Sequence, residues 1–425
     1  MGDVSTSSSQ RLAELRTRIG NRTATLGVVG LGYVGLPVAL SFAQAGFEVI
    51  GVDRQRNRID KLIAGDNPIR GYEPGLGALV KEAVISGRFK ATTDYKELGS
   101  ADVITINVDT PVDDDRQPRY QSLADASTSI GQVIGPGRLV IVESTVSPGT
   151  TDRLVIPTLV ENSGLKLNVD LFVGACPERV MPGRLLQNIR TVPRTCGGSS
   201  PAVAELMRSL YHTVVEADLD ATDVLTAELV KVTENAYRDV QIAFANEISM
   251  LCDELGIDVW KIRDLVNKVP YRDMHRPGGG VGGHCLPKDS WLLAAASSRS
   301  PLRLIPAART VNDSMPLHVA NEVAARIKEW QSRAGREEQT WIAVLGYSYL
   351  PESDDIRNTP SEQLVDELRQ QGFRVRIHDP FVDGYNYSVS EAVDGCVAVI
   401  VMVPHKDYDE LRLTAPIVVR VGRRA

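Results

Sequence analysis

The stretch Thr25-Leu26-Gly27-Val28-Val29-Gly30-Leu31-Gly32-Tyr33-Val34-Gly35, with the helical pattern to Gly46 and the second apolar run closing at Asp53, decides how this chain reads. A strand that runs straight into Gly30-Leu31-Gly32-Tyr33-Val34-Gly35 and then a helix is the first half of a dinucleotide-binding unit. The tight turn needs Gly30, a pyrophosphate can approach the backbone only where residue 32 lacks a Cβ, and Gly35 lets the helix pack close to the strand. The helix start, with Tyr33 and Val34 just before it, then faces the phosphates. Asp53 is placed to accept hydrogen bonds from a ribose diol, and its charge opposes a 2′-phosphate, so NAD is expected over NADP. Arg54 weakens that preference. A glycine-rich turn that binds nothing would not require strand, turn, helix and terminal acid in register.

Outward from this stretch the same alternation continues. Apolar runs at 26–29, 49–52, 103–108, 139–142 and 171–173 are separated by amphipathic segments, which predicts a parallel α/β sheet. Residues 220–255 then hold Val224, Leu225, Leu229, Val232, Ala236, Val240 and Phe244 at helical spacing without Gly or Pro, closed by Gly256, and predict one long helix. A second helical stretch over 259–269, a glycine-rich loop over 277–283 and two more helices to about 333 make the middle third mostly helical. After a polar break at 335–339 the α/β pattern restarts with a strand at 341–345, a helix at 361–371 and a strand at 374–377 that leads to Asp379. The restart repeats the layout of 26–53. The expected architecture is two doubly wound, Rossmann-like domains joined by a helical middle: a polar tail or short helix over 1–23, a cofactor domain over 24–218, a helical domain over 219–334 and a second nucleotide-binding domain over 335–425.

Composition removes several function classes. Hydrophobic residues make up 43% of the 425 and charged residues 24%, a globular usage with neither disordered nor disulfide-scaffold character. Lys and Arg number 47 against 54 Asp and Glu, a formal charge of −7 that offers no basic field to nucleic acid. The long uncharged stretch 24–47 follows four arginines and imitates a membrane span or signal core, but its five glycines and Pro37 fit the strand–turn–helix reading instead. Met1-Gly2-Asp3-Val4-Ser5-Thr6 fits a loose myristoylation pattern that recurs by chance, so no membrane partner is expected. Five scattered cysteines without a C-x-x-C pair suit a reducing cytoplasm.

Further segments carry chemistry. In Gly280-Val281-Gly282-Gly283-His284-Cys285-Leu286-Pro287-Lys288-Asp289 a cysteine ends a flexible glycine loop, beside cations, a carboxylate and a helix start that all favour thiolate. Cys176, Cys196, Cys252 and Cys396 read as small buried hydrophobes. Lys231 and Asn235, four apart on the long helix, form a donor pair for an oxygen that gains negative charge. Their bland alternative is a solvated stripe with a Glu228–Lys231 pair. Glu143-Ser144-Thr145, Cys176-Pro177-Glu178-Arg179 and Thr110-Pro111 follow strands, where doubly wound sheets place ligands, although hydroxyls there also cap the next helix.

Together these motifs resemble the UDP-glucose/GDP-mannose dehydrogenase family from about residue 25 to 420: GLGYVG with Asp53, the Thr110-Pro111 pair, ESTVSPGTT from Glu143, PERVMPG from Pro177, AELVKVTENAYRDVQIAFANE from Ala227, GVGGHCLPKD from Gly280 and NDSMP from Asn312. PERVMPG, FANE and GVGGHC look most like the branch that oxidises UDP-N-acetylhexosamines, especially UDP-N-acetylmannosamine. The resemblance implies two successive NAD-dependent oxidations of a primary alcohol to a carboxylate, with Cys285 attacking the intermediate aldehyde. It assigns oxyanion stabilisation to Lys231 and Asn235, and water activation or substrate positioning to Asp289, Thr145 and Glu178. Ser144, Thr110, Lys288 and Arg357 fall at positions that contact the cofactor, and Arg179, Arg272, Gly282 and His284 at positions that meet the UDP-sugar. It also implies a homodimer built around the long helix, UDP binding by the second nucleotide unit, and no metal. Three places depart from the family pattern: Pro118 is followed by Arg119-Tyr120, Arg272 stands one place late, and the chain ends Val421-Gly422-Arg423-Arg424-Ala425 without an Asp-x-Arg-Asn close. UDP-glucose 6-dehydrogenation, a one-step alcohol dehydrogenase and a non-catalytic NAD-binding scaffold remain the rivals; the last two do not need Cys285.

Overall fold

A computed structural model describes residues 7–69, 71–335 and 340–422. The six-residue myristoylation-like pattern at the start and the last three residues of the atypical C-terminus lie outside the described residues. The chain divides into two compact units, Met1–Thr233 and Glu234–Ala425, and the division falls inside the long helix Val224–Leu255.

The first unit is built on an eight-stranded sheet: β1 (Thr25–Val29), β2 (Glu48–Val52), β3 (Phe89–Thr92), β4 (Val103–Ile106), β5 (Arg138–Val142), β6 (Leu171–Ala175), β7 (Arg194–Gly198) and β8 (Leu219–Asp223), in the order β3-β2-β1-β4-β5-β6-β7-β8. The run from β3 to β6 is the doubly wound dinucleotide order, with its crevice beyond the carboxyl ends of the strands. β4 and β6 are buried at every position because helices cover both faces of the sheet. Helix Gly35–Gln44 is buried almost all round, at Leu36, Val38, Ala39, Leu40, Phe42 and Ala43, so the uncharged stretch that imitates a membrane span is β1, a turn and this helix. Among the described residues no helix is long and apolar enough to cross a membrane.

The sheet departs from the sequence expectation in two ways. β6 and β7 pair antiparallel, since the helix between them, Leu185–Thr191, rises only ~10 Å and cannot return the chain for a parallel strand. β8 pairs with β7 and belongs to this sheet, although residue 219 was expected to open the helical middle. Its sequence Leu-Asp-Ala-Thr-Asp has one buried residue, Leu219, so no apolar run announces it. Of the two expected alternatives for residues 1–23, a tail or a short helix, residues 8–20 take the helix, Ser8–Gly20, whose Leu15 and Ile19 join the core of this unit. Arg18 and Arg138 both pair with buried Asp102 at the start of β4.

The second unit holds the helices Val259–Val266, Leu286–Ala295 and Leu304–Ala334 and a four-stranded parallel sheet of β9 (Trp341–Leu345), β10 (Arg374–His378), β11 (Ala398–Val401) and β12 (Ile417–Arg420), ordered β10-β9-β11-β12. The expected repeat of layout is visible in its backbone. Gly30 (φ +89°) donates its N–H to Val52 at 2.8 Å, and Gly346 (φ +89°) donates to His378 at 2.8 Å. Each β-to-helix turn thus reaches across to the neighbouring strand in the same way.

Candidate active site

The turn after β1 has the shape its glycines require. A Cβ at Gly30 would lie 2.4 Å from the Asn107 carbonyl oxygen, and one at Gly35 1.9 Å from the Gly30 oxygen, whereas nothing lies within 4 Å of a Cβ at Gly32. Residue 32 is therefore open where a pyrophosphate must come close. Val34 precedes the helix without a side-chain cap, and although Leu36 N–H is taken by the Gly32 carbonyl at 3.2 Å, the positive end of the helix lies at this turn, where an anion is favoured. Asp53, 5% exposed at the end of β2, accepts from Leu31 N–H at 2.9 Å through Oδ2 and from Gln55 N–H at 2.8 Å through Oδ1. Oδ1 keeps acceptor capacity for a ribose hydroxyl. The residues fit NAD. Arg58, absent from the sequence reading, pairs with Asp53 at 2.7 Å; a cation one helical turn past the acid was the available signal.

The ends of β4 and β5 are stapled together. Thr110 Oγ1 donates to the Thr145 carbonyl at 2.6 Å and Ser144 Oγ to the Val108 carbonyl at 2.7 Å, so neither hydroxyl caps a helix. The atypical loop after Pro118 is anchored, since Tyr120 Oη accepts from Ser147 N–H at 2.7 Å and Arg119 pairs with Asp113.

Beyond β6, Glu178 Oε1 accepts from Arg179 N–H at 2.8 Å, and its Oε2 lies 2.5 Å from the guanidinium of Arg194, which is 1% exposed. Arg179 itself turns away, donating to the Pro193 carbonyl at 2.6 Å. Arg194 sits 5.1 Å over the Tyr211 ring, and Tyr211 Oη donates to Glu143 at 2.5 Å. Burial pushes Glu143 up to about 7 against the pull of Arg194, while the carboxylates of Glu178 and Glu143 outweigh burial and raise Arg194. Sequence reasoning missed Arg194; the signal was an arginine inside an otherwise uncharged strand.

On the long helix Lys231 is 7% and Asn235 8% exposed. Glu228 forms no solvated pair with Lys231: its carboxylate accepts from Gly149 N–H at 2.5 Å and Thr151 N–H at 2.9 Å, holding the end of the ESTVSPGTT run. In the second unit, Asn235 donates to Asp289 Oδ2 at 2.6 Å. Asp289 is wholly buried, its Oδ1 makes no hydrogen bond among the described residues, and Lys288 Nζ stands 3.6 Å from it. That oxygen is an acceptor suited to take a proton. Cys285 is exposed whereas Cys176, Cys196, Cys252 and Cys396 are buried. It immediately precedes helix Leu286–Ala295, and its carbonyl accepts the N–H groups of Lys288 and Asp289 at 3.1 and 2.8 Å. Its N-cap position sets the residue at the positive end of that helix.

The glycine loop before Cys285 is held, contrary to the expectation of flexibility. Gly283 N–H donates to the Arg357 carbonyl at 2.9 Å, Asn358 donates to the Gly283 carbonyl at 3.1 Å, and Gly278 N–H donates to Asn246 Oδ1 at 2.7 Å. A Cβ on Gly282 would lie 2.5 Å from that of Tyr349, so the glycines serve close packing. Asn246 of the FANE run meets Asn312 of the NDSMP run at 2.9 Å. Asn312 and Arg309 hold buried Asp239 at 2.8 and 2.7 Å, and Asp239 accepts from Ser290 at 2.9 Å. The helix face that presents Asn235 to Asp289 thus also fixes the neighbouring Ser290. His284 is half-buried. Arg357 is paired with Asp355 at 2.6 Å, and Arg272 is exposed, donating to the carbonyl of the fully exposed Tyr271.

Asp379 occupies in the second unit the place of Asp53 in the first, but accepts more. Its Oδ2 takes Tyr347 N–H (2.7 Å), Ser348 N–H (2.8 Å) and His405 Nε2–H (3.1 Å), and its Oδ1 takes Phe381 N–H (2.9 Å). His405 Nδ1 accepts from Glu352 N–H at 3.0 Å, which places the ring proton on Nε2. Burial raises the Asp379 carboxyl, but these donors outweigh it and bring it to about 2.

Comparison with known proteins agrees with this geometry. Residues 24–215 match the NAD binding domain of the UDP-glucose/GDP-mannose dehydrogenase family, residues 225–314 its central domain and residues 343–423 its UDP binding domain. The chain is 37% identical over 384 residues, 90% of each protein, to a UDP-N-acetyl-D-mannosamine dehydrogenase from Pyrococcus horikoshii. It is 39% identical over 353 residues, 82% of this chain and 80% of the relative, to an NDP-N-acetyl-D-galactosaminuronic acid dehydrogenase from Ralstonia nicotianae. The solved structure of a UDP-D-ManNAc dehydrogenase from Pyrococcus horikoshii superposes with a TM-score of 0.87 at 35% identity, covering 94% of this chain and 95% of that one. The chain therefore belongs to the UDP-glucose/GDP-mannose dehydrogenase family and is an NAD-dependent dehydrogenase.

Proposed function

We propose that this enzyme oxidises the C6 alcohol of a UDP-N-acetylhexosamine, UDP-N-acetylmannosamine best of all, to the uronate in two steps. The observation that carries the reading is the exposed Cys285 at a helix start, four residues before the buried, half-paired carboxylate of Asp289. The names of the relatives, which act on N-acetylated sugar nucleotides, support the substrate class. Bound NAD accepts one hydride in each oxidation. The Gly30–Gly35 turn and the helix start carry its pyrophosphate, Asp53 its ribose, and Thr110, Ser144, Lys288 and Arg357 are assigned to its remaining contacts.

Once the alcohol has become an aldehyde, the Cys285 thiolate adds to its carbon, and the resulting alkoxide takes up a proton to give a thiohemiacetal. The second oxidation leaves a thioester, which water hydrolyses to carboxylate and free thiol. Lys231 and Asn235 offset the oxygen charge that develops. Asp289 takes a proton from water through Oδ1. Thr145 and Glu178 position water and sugar, while Arg179, Arg272, Gly282 and His284 are assigned to the nucleotide sugar and the second nucleotide unit to its UDP.

The proposal includes a homodimer built around the long helix Val224–Leu255. Tyr237, Phe244 and Leu251 recur every seventh position along the long helix and are 63%, 55% and 47% exposed, an apolar stripe of the kind that partner subunits cover. It also places the enzyme in the cytoplasm, where five unpaired cysteines persist.

The test is to count NADH formed per sugar consumed across UDP-glucose, UDP-galactose, UDP-N-acetylglucosamine and UDP-N-acetylmannosamine. Two NADH with an N-acetylated sugar are expected, and Cys285→Ser should stop the reaction short of uronate. Two NADH from UDP-glucose alone would overturn the substrate assignment, and uronate formed by Cys285→Ser at the wild-type rate would overturn the covalent step.

A further inference from the structure

Glu73, in the turn before helix Leu76–Ile85, has no part in the chemistry above, yet three donors from two distant segments converge on its carboxylate. The Tyr33 hydroxyl, from the middle of the dinucleotide turn, donates to Oε1, and Gly183 N–H donates to the same oxygen at 2.7 Å. Leu185 N–H donates to Oε2 at 3.3 Å. Gly183 (φ +77°) closes the Pro177–Gly183 run that carries Glu178, and Leu185 opens the helix after it. A single carboxylate thus ties the turn that receives the pyrophosphate to the segment assigned to the sugar.

The two ends of this tie differ in how firmly the protein alone holds them. Residues 177–184 form no helix or strand, and Met181 within them is 49% exposed. Glu178 is anchored on Arg194 and Arg179 on the Pro193 carbonyl, so the conformational freedom that a ligand must remove lies chiefly in residues 180–184. Tyr33 lies between Gly32 and Gly35, so a dinucleotide seated on the turn fixes its backbone and the direction of its side chain. A fixed Tyr33 hydroxyl orients Glu73, and an oriented Glu73 holds the N–H groups of Gly183 and Leu185.

We propose that Glu73 is a positioning residue that couples the filling of the dinucleotide turn to the ordering of residues 178–185, so that cofactor and sugar nucleotide bind cooperatively. The second ligand finds the segment already ordered and loses less entropy on binding. Linkage makes the effect reciprocal, each ligand tightening the other by the same factor. The sugar side of this inference rests on the function proposed above.

NADH is a suitable probe because it cannot oxidise the sugar, so both ligands can occupy the full-length enzyme at equilibrium. Calorimetric Kd values for UDP-N-acetylmannosamine with and without saturating NADH should differ about fivefold or more in the wild type. In Glu73→Ala the ratio should collapse toward one. Tyr33→Phe removes one hydroxyl and nothing else, and should lower the ratio similarly, with the double variant no lower than the single ones. Hydrogen exchange supplies an arm independent of the sugar: NADH alone should protect 178–185 in the wild type and not in Glu73→Ala. Protection that survives Glu73→Ala, or an unchanged ratio in both single variants, overturns the inference. Protection by NADH without binding of any UDP-sugar supports the coupling and overturns the substrate assignment instead.

Discussion

Single side chains divide here into those whose chemistry is local and those defined by a partner far along the chain. The setting apart of Cys285 from the other four cysteines was legible from its neighbours, the glycines before it and Lys288 and Asp289 after it, and it is the exposed cysteine among the five. Arg58, Glu73 and Arg194 were not, because the carboxylates and N–H groups they serve come from other strands and turns. Glu143 allows a test of the buried cluster. Burial raises its carboxyl from 4.5 to about 7, so the fold favours its protonated form. Its contribution to stability is full below about 4.5 and lost as pH rises through 7. Glu143→Gln should therefore flatten the fall of Tm between pH 5 and 8, with the variant gaining on the wild type at the upper end. Parallel Tm curves for the two proteins would show that Glu143 does not titrate in this window.

At the scale of elements, the strands with unbroken apolar runs were readable and the polar ones were not. β4 and β6 are covered on both faces and read directly from sequence. β7 holds Arg194 and two glycines, and β8 two aspartates, so their membership of the sheet depends on pairing that no periodicity records. The glycine loop misled for a related reason: glycine signals freedom in a sequence and close approach in a fold. Gly282→Ala would set a methyl 2.5 Å from Tyr349 Cβ and 2.9 Å from the Asn358 oxygen. Displacement of the loop should lower kcat by roughly a hundredfold, the scale of an ångström-level misplacement, while the protein still melts cooperatively and still binds NADH. Wild-type kcat in this variant would mean that the contact with Tyr349 does not set the position of Cys285.

For the whole molecule, the repeated strand–glycine–helix layout announced two nucleotide-type sheets correctly, and the long helix carries an exposed apolar stripe on which the proposed dimer rests. The sevenfold spacing of Tyr237, Phe244 and Leu251 leads to an expected mass near twice 46.3 kDa by sedimentation. Phe244→Asp together with Leu251→Asp should shift the protein toward the single-chain mass, and no shift would place the partner surface elsewhere.

The two acids that follow β2 and β10 look interchangeable in the sequence, yet the fold loads their Oδ2 atoms differently. Each Oδ1 accepts one backbone N–H, but Asp53 Oδ2 accepts from Leu31 N–H and the Arg58 guanidinium, whereas Asp379 Oδ2 accepts from two backbone N–H groups and the ring of His405. The same layout thus holds its two acids by different means. Arg58 is partly exposed and open to screening by salt, whereas the donors to Asp379 are backbone N–H groups and buried His405, so dissolved ions weaken the hold on the first acid more than that on the second.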